Sequence, residues 1–386
     1  MNKTTIISIA MVLLLLAGSI AVIAYNGLGS DDDSDDDGSS DQDDTEIETA
    51  DDSTVSIVLG TEVTVNGTAI TTNASSEVYE SSGSGYTIIN IVDSGTYDIS
   101  GTADDIQIYV NAGDTDEVVL VLNGTNITCD ASCAILIVNA YEPDAAGEAG
   151  VTIKMASGTE STIEGSHTDE YDAAIDSVVS LLIEGDGELN VIADNEGIET
   201  WRHLTIESGI VAITSDEDAI NANEDGVSTI TINGGTVFAD SSSGSDGDGI
   251  DSNGYIYING GVVYGFSSGE NCGIDSDLGT IINGGMVFAT GKMNDGASAS
   301  SDQEFISYSL NSVLSANKLV YVLNDDGDCV LAFKTLAAYS SFIFSSSELS
   351  NGEDYSIYVG GSVDGTFDAY GLCVSFTVTT AGTLQN

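Results

Sequence analysis

Four acidic or amide residues each follow an isoleucine directly: Glu199, Asn221, Asp251 and Asp275 come after Ile198, Ile220, Ile250 and Ile274. A second set, Glu196, Asp218 and Asp248, stands two residues before the same isoleucines, which recur at steps of 22, 30 and 24 residues. If these segments stack as neighbouring strands, the two sets become columns of like charge about 4.8 Å apart. Bare carboxylates that close must take up protons or a cation. Ca²⁺ wants six to eight oxygens at about 2.4 Å, which an ion shared between two stacked segments can find. The expected ligands are Asp218, Asn221, Asp248 and Asp251, completed by Asp246 and Asn253, with Asp275 serving the next segment. There Cys272 stands in place of acid, which sets that last position apart. The plainer reading is that acid simply falls in the loops of a very acidic surface.

A second chemistry is carried by aromatic residues. Phe238, Tyr264 and Phe288 repeat at steps of 26 and 24 and are expected on one outward face, where flat rings offer a stacking platform for sugars. The alternative is that the C-terminal segment or another subunit covers them. Tyr255 and Tyr257 are expected to project from the preceding strand. Trp201 and Arg202, with His203, add a third candidate carbohydrate contact. Arg202 is the only arginine and the one candidate base for eliminative cleavage of a polyuronate, although a structural role suits it better. Paired-carboxylate hydrolysis has little support. Asp104–Asp105 is a weak signal, His167 is isolated, and no Gly-His-Gly motif occurs.

The elements that must position these residues are short repeated strands. "ITINGGTVFADSSSGSDGDGIDSN", "IYINGGVVYGFSSGENCGIDSD" and "TIINGGMVFATG" share a strand, a glycine turn, a second strand and an acidic loop. Glu207, Asn233, Asn259 and Asn283 occupy one further column, at steps of 26, 26 and 24, and are expected to form a side-chain ladder. A period in the twenties without helical pattern predicts an all-β chain coiled as a parallel β-helix. Alternation in "TITINGGTVFA" points Ile230, Ile232, Val237 and Ala239 inward and Thr231 and Phe238 outward. An antiparallel sandwich would turn every 8–12 residues or so and keep no register across a coil. From about residue 294 the repeat ends, and "KLVYVLN", "DCVLAFKT", "SSFIFSS" and "LCVSFTV" predict an antiparallel cap over the last coil.

Composition narrows the partners. The 386 residues hold 6 basic and 63 acidic side chains, a net charge of −57, which excludes nucleic acid and anionic membrane surfaces as partners. Such a surface suits high salt. Residues 1–26, with Lys3 before an apolar run to Ala24, predict an export signal or an uncleaved anchor. The protein is therefore expected outside the cell, secreted or held at its surface, touching membrane only through this segment. Residues 27–54 read as an acidic low-complexity tether, 55–293 as the β-helix and 294–386 as the cap. Among the five cysteines, Cys129 and Cys133 are expected to bridge locally and Cys329 and Cys373 across the cap, leaving Cys272 free. Oligomeric state is left open.

The segments "LVLNGTNITCDASCAILIVNA", "DAAIDSVVSLLIEGDGELNV", the "ITINGGTVFA…GDGIDSNG" coils and "SSFIFSSSELSNGEDYSIYVGG" resemble a family of exported carbohydrate-binding β-helix domains. These are known from clostridia and related to the pectate-lyase superfamily. The likeness runs over roughly residues 90–365. It implies a right-handed, calcium-containing parallel β-helix that binds polysaccharide, of cellulose or polygalacturonate type, without established lyase activity. Calcium-dependent binding without cleavage is thus the expected function. A lyase using Arg202 and a structural adhesin are the alternatives.

Overall fold

The computed structural model describes residues 54–385 except 245–246, 268–269 and 294. The apolar N-terminal segment, nearly all of the acidic tether and Asp246 therefore lie outside the described residues. No helix among the described residues is long and apolar enough to cross a membrane.

Among the described residues every regular element is a strand, and the strands wind into a parallel β-helix of about seven coils. Each coil contributes to three faces. On the first face, Leu181–Gly185, His203–Ile206, Thr229–Ile232, Tyr255–Ile258 and Gly279–Ile282 pair in parallel order. The second stacks Glu188–Ala193, Ile210–Thr214, Thr236–Asp240, Val262–Phe266 and Met286–Gly291. The third stacks Ile135–Asn139, Ala173–Ser177, Glu196–Thr200, Ile220–Ala222, Ile250–Ser252 and Ile274–Ser276.

The alternation read from the sequence holds. Ile230, Ile232, Val237 and Ala239 are fully buried, and Thr231 and Phe238 lie on the outer side. The core is a column of β-branched side chains in which Ile175, Ile198, Ile220, Ile250 and Ile274 sit one above another. A strand buried this way gains about 25 cal/mol for each Å² of apolar surface removed from water. Between the first two faces the chain turns on glycine. Gly261 has φ +80°, and a Cβ there would come within 2.6 Å of the Gly235 carbonyl one coil below, so only glycine lets the coils approach this closely. Beside this turn the asparagine ladder forms as expected. Asn233 donates to Glu207 (2.6 Å), Asn259 to Asn233 (2.8 Å) and Asn283 to Asn259 (2.8 Å).

Both ends of the solenoid are closed by antiparallel strands. At the N-terminal end the hairpin Thr64–Val65/Thr68–Ala69 pairs with Thr54–Leu59. At the C-terminal end Tyr339–Ser345 pairs antiparallel with Met286–Gly291, the last second-face strand, and with Phe305–Leu314. A five-stranded sheet that includes Val320–Asn324 and Cys329–Phe333 completes the cap.

The cap corrects one expectation. Phe238, Tyr264 and Phe288 do point out of the coils, yet the cap packs on that face. Phe288 is fully buried against Phe333 (ring centroids 4.9 Å), and Tyr370 stacks on Phe238 at 4.2 Å. Tyr264 is buried and donates to Asp368 at 2.8 Å. This column is an interface within the chain, and it offers no platform to a sugar. The expected disulfides are also corrected, since all five cysteines are thiols. Cys129 and Cys133 are buried in the solenoid, and the Cys373 thiol donates to the Ser375 carbonyl at 3.2 Å.

Candidate functional site

Two features of the third face and its edge can do chemistry. The first is an acid ladder. Strand register places Asp176, Glu199, Asn221, Asp251 and Asp275 on successive coils. They sit one past the inward isoleucine and so lie outside the core, yet Asp176, Glu199 and Asn221 are still more than nine-tenths buried. The second column runs beside it. Asp218 accepts from the Asp248 backbone N–H at 2.6 Å, and Asp248 accepts from that of Cys272 at 2.5 Å. Each acid thus holds the backbone of the next coil.

Electrostatics in this ladder are strained. Burial, then the charges of Glu199 and Asp218, push the Glu196 carboxyl up to about 9. Burial is also the main cause at Asp248, pushed up to about 8, and at Asp251, pushed up to about 7, with Asp218 and Asp275 adding to both. Asp176 is raised by burial and by Glu199, its hydrogen-bond partner. Asn221 donates to Glu196 Oε1 at 3.1 Å. That contact leaves two buried acceptors, Asn221 Oδ1 and Glu196 Oε2, without any donor. An unsatisfied buried acceptor costs about 1–3 kcal/mol, and a cation is the ligand that satisfies several at once. The donor set around them is all oxygen, which fits Ca²⁺. One coil further, ligand atoms of Asp248, Cys272 and Asp275 lie within 4.8 Å of one another. Sulfur among them makes that group softer than the oxygen set below it.

The geometry thus gathers Asp218, Asn221, Asp248, Asp251 and Asp275 on one face. Asn253 is not among them. It lies past the strand end, where its side chain donates to the Asn223 carbonyl, to Asn223 Oδ1 and to Asp225 (2.8, 3.1 and 3.2 Å). Glu196, Glu199 and Asp176 belong to the ladder as well. The first two were visible in the repeated columns, and Asp176 follows Ile175 in "AAIDS", a degenerate copy of the same signal.

The second feature is the corner where the third face turns into the first. Trp201 stands half-exposed on it. Next to it Arg202 pairs with Glu224 (Nη1–Oε2 2.7 Å) and more loosely with Glu142 (4.0 Å). Glu142 is fixed in turn by the Ser180 N–H and hydroxyl at 2.6 and 2.7 Å. The guanidinium is therefore committed to two carboxylates, and it offers donors and no acceptor, so it is a poor base. His203 is buried, its Nδ1 has no partner, and burial lowers its pKa. Tyr255 is exposed and Tyr257 partly so, with ring centroids 5.7 Å apart. Ladder and corner are joined, because Asn223 on the corner donates to Glu199 in the ladder at 2.8 Å.

Comparison with known proteins identifies the family. A family model described as carbohydrate-binding domain-containing protein matches residues 82–340. A protein of Acetivibrio thermocellus with the same description is 34% identical over 134 residues, which is 32% of this chain and 44% of that relative. The chain thus matches less than half of that relative's length. Among solved structures, a polysaccharide lyase-like protein from C. thermocellum is similar with a TM-score of 0.45 and 24% identity, over 61% of this chain and 94% of that one.

Proposed function

Because the chain belongs to the carbohydrate-binding domain-containing family, we propose that it binds polysaccharide of cellulose or polygalacturonate type outside the cell, with calcium in the acid ladder and without cleaving its ligand. The observation that carries this reading is the pair of buried acceptors, Asn221 Oδ1 and Glu196 Oε2, left without donors beside a corner that exposes Trp201 and Tyr255. Glu196, Asp218, Asn221 and Asp251 would hold the ion. Bound there, calcium supplies the positive charge that stacked carboxylates lack. The ladder's own residues tie neighbouring coils together and, through Glu199 and Asn223, hold the corner in shape. Trp201, Tyr255 and Tyr257 stack against sugar rings, and Arg202, oriented by Glu224, offers hydrogen bonds at the edge. Cleavage by elimination needs a base beside the sugar, and the Arg202 guanidinium is engaged by its two carboxylates. The N-terminal apolar segment and the acidic tether in the sequence support a position at or beyond the cell surface.

A pull-down tests this reading. The protein is mixed with cellulose and with polygalacturonate, with calcium or with EDTA, while absorbance follows unsaturated product. Retention with calcium, weakened by EDTA and without product, is expected. Product formation would make the chain a lyase, and no retention on either polymer would leave a structural surface protein.

A further inference from the structure

Among the described residues, four asparagines open an Asn-X-Ser/Thr triplet: Asn66, Asn73, Asn123 and Asn126. In an exported chain this triplet is the acceptor for an N-linked glycan, provided that it lies open on the surface. The side-chain nitrogen Nδ2 must be free to bond the sugar, and the hydroxyl two residues on must be within reach of the transferring enzyme. On both counts the fold sorts the four into two pairs.

Asn66 is the apex of the N-terminal hairpin, between Thr64–Val65 and Thr68–Ala69, and it is exposed together with Thr68. Its Oδ1 accepts the Ser56 N–H at 3.0 Å. Asn73 stands in the loop before the strand Val78–Ser82, where it and Ser75 are both exposed. Its Oδ1 accepts the Ser75 N–H at 3.2 Å. In both residues the amide oxygen makes the bond that fixes the side chain and leaves Nδ2 unengaged. Asn123 and Asn126 lie inside the long strand Val118–Cys129, and there the nitrogen is the engaged atom. Asn123 Nδ2 donates to both Asp98 carboxylate oxygens at 3.3 Å, and Asn126 Nδ2 donates to Thr102 Oγ1 at 3.5 Å. Thr125, the hydroxyl residue of the Asn123 triplet, is fully buried and donates to the Ile99 carbonyl at 2.5 Å. That strand pairs on both edges, so its backbone cannot leave the sheet for an enzyme without breaking two ladders of hydrogen bonds.

We propose that the folded chain is N-glycosylated at Asn66 and Asn73 and not at Asn123 or Asn126. This rests on the extracellular placement and goes beyond the binding of polysaccharide, because the sugar here is covalently attached. The donor is an oligosaccharide joined through diphosphate to a polyprenyl lipid. Asparagine Nδ2 bonds to the sugar C1, and the C1–O bond to the diphosphate breaks, its electron pair leaving with the lipid diphosphate. The amide proton passes to a carboxylate of the transferring enzyme. A bulky, hydrated glycan at this end of the solenoid opposes end-to-end association of chains.

The test is mass spectrometry of the full chain recovered from the medium and surface of its own cells, after cleavage at glutamate. Cleavage after Glu62 and Glu77 puts Asn66 and Asn73 on one peptide, and cleavage after Glu117 starts a second that holds Asn123 and Asn126. The first peptide is expected to carry glycan at both asparagines, and the second none. Asn66→Gln and Asn73→Gln should each remove one glycan. Ser75→Ala should strip Asn73 although the asparagine remains, and Ser75→Thr should keep its glycan. Circular dichroism unchanged from the parent separates loss of glycan from loss of fold. In exported chain, an unmodified asparagine in the first peptide, equal modification of the second, or an Asn73 glycan that survives Ser75→Ala would overturn the proposal and leave polysaccharide binding untouched. Chain found only inside the cell would overturn the extracellular reading and the proposal with it.

Discussion

Glu196 and Asn221 show most directly what the ladder needs. Burial and two neighbouring charges oppose the ionised Glu196 carboxylate, so without calcium it destabilises the fold. Glu196→Gln should therefore raise the melting temperature in EDTA by about 2–4 °C and shrink the gain on adding calcium. Scanning calorimetry of both proteins, with and without calcium, reads the two effects separately; a substitution that lowers both temperatures equally would remove Glu196 from the ion's surroundings. A pH dependence follows from the same shifts. Glu196, Asp248 and Asp251 keep protons in the folded chain up to about 9, 8 and 7, whereas the unfolded chain releases them near pH 4 or so. The folded state binds more protons, so calcium-free stability is greatest below that pH and falls as pH rises through the folded values. Melting in EDTA is expected at a higher temperature at pH 5 than at pH 9, and calcium should narrow the gap. Of these residues the sequence displayed Glu196, Asp248 and Asp251, because a fixed offset from an isoleucine is preserved in a parallel stack. It misplaced Asn253, because loop lengths differ between coils and a residue three past the isoleucine has already left the strand.

At the scale of elements, the solenoid was legible and its coverings were not. The isoleucine and asparagine columns recur at coil spacing, so their register could be read without any contact being known. The outward direction of Phe238, Tyr264 and Phe288 followed from the same alternation. Their burial did not, because Tyr264 meets Asp368 across 104 residues of chain and the cap carries no repeat. Phe288→Ala should cost about 3–5 kcal/mol of cap stability, seen as early release of the C-terminal strands in hydrogen exchange. Loss of glycan binding with an intact cap would instead return that column to the ligand. Gly261 marks a tight backbone constraint. Gly261→Ala places a Cβ 2.6 Å from the Gly235 carbonyl at φ +80°, and a loss of about 2–3 kcal/mol in denaturant unfolding is expected.

For the whole molecule, charge and shape divide the work. A net charge of −57 repels polyanions and draws cations, which raises the local concentration of cations around the ladder. The solenoid converts a short repeated segment into a straight edge about 19 Å long over four steps, and length of that kind suits a polymer better than a small molecule. The ladder and the edge meet through Asn223 and Glu199, so the state of one is expected to govern the order of the other. The most direct measurement is titration of the full chain with a six-ring cello-oligosaccharide, first with calcium, then after EDTA, then with calcium restored, with the ligand recovered and sized afterwards. Binding that is present, lost and regained over an uncut ligand is expected. Binding indifferent to EDTA, or a shortened ligand, would contradict calcium-dependent binding without cleavage.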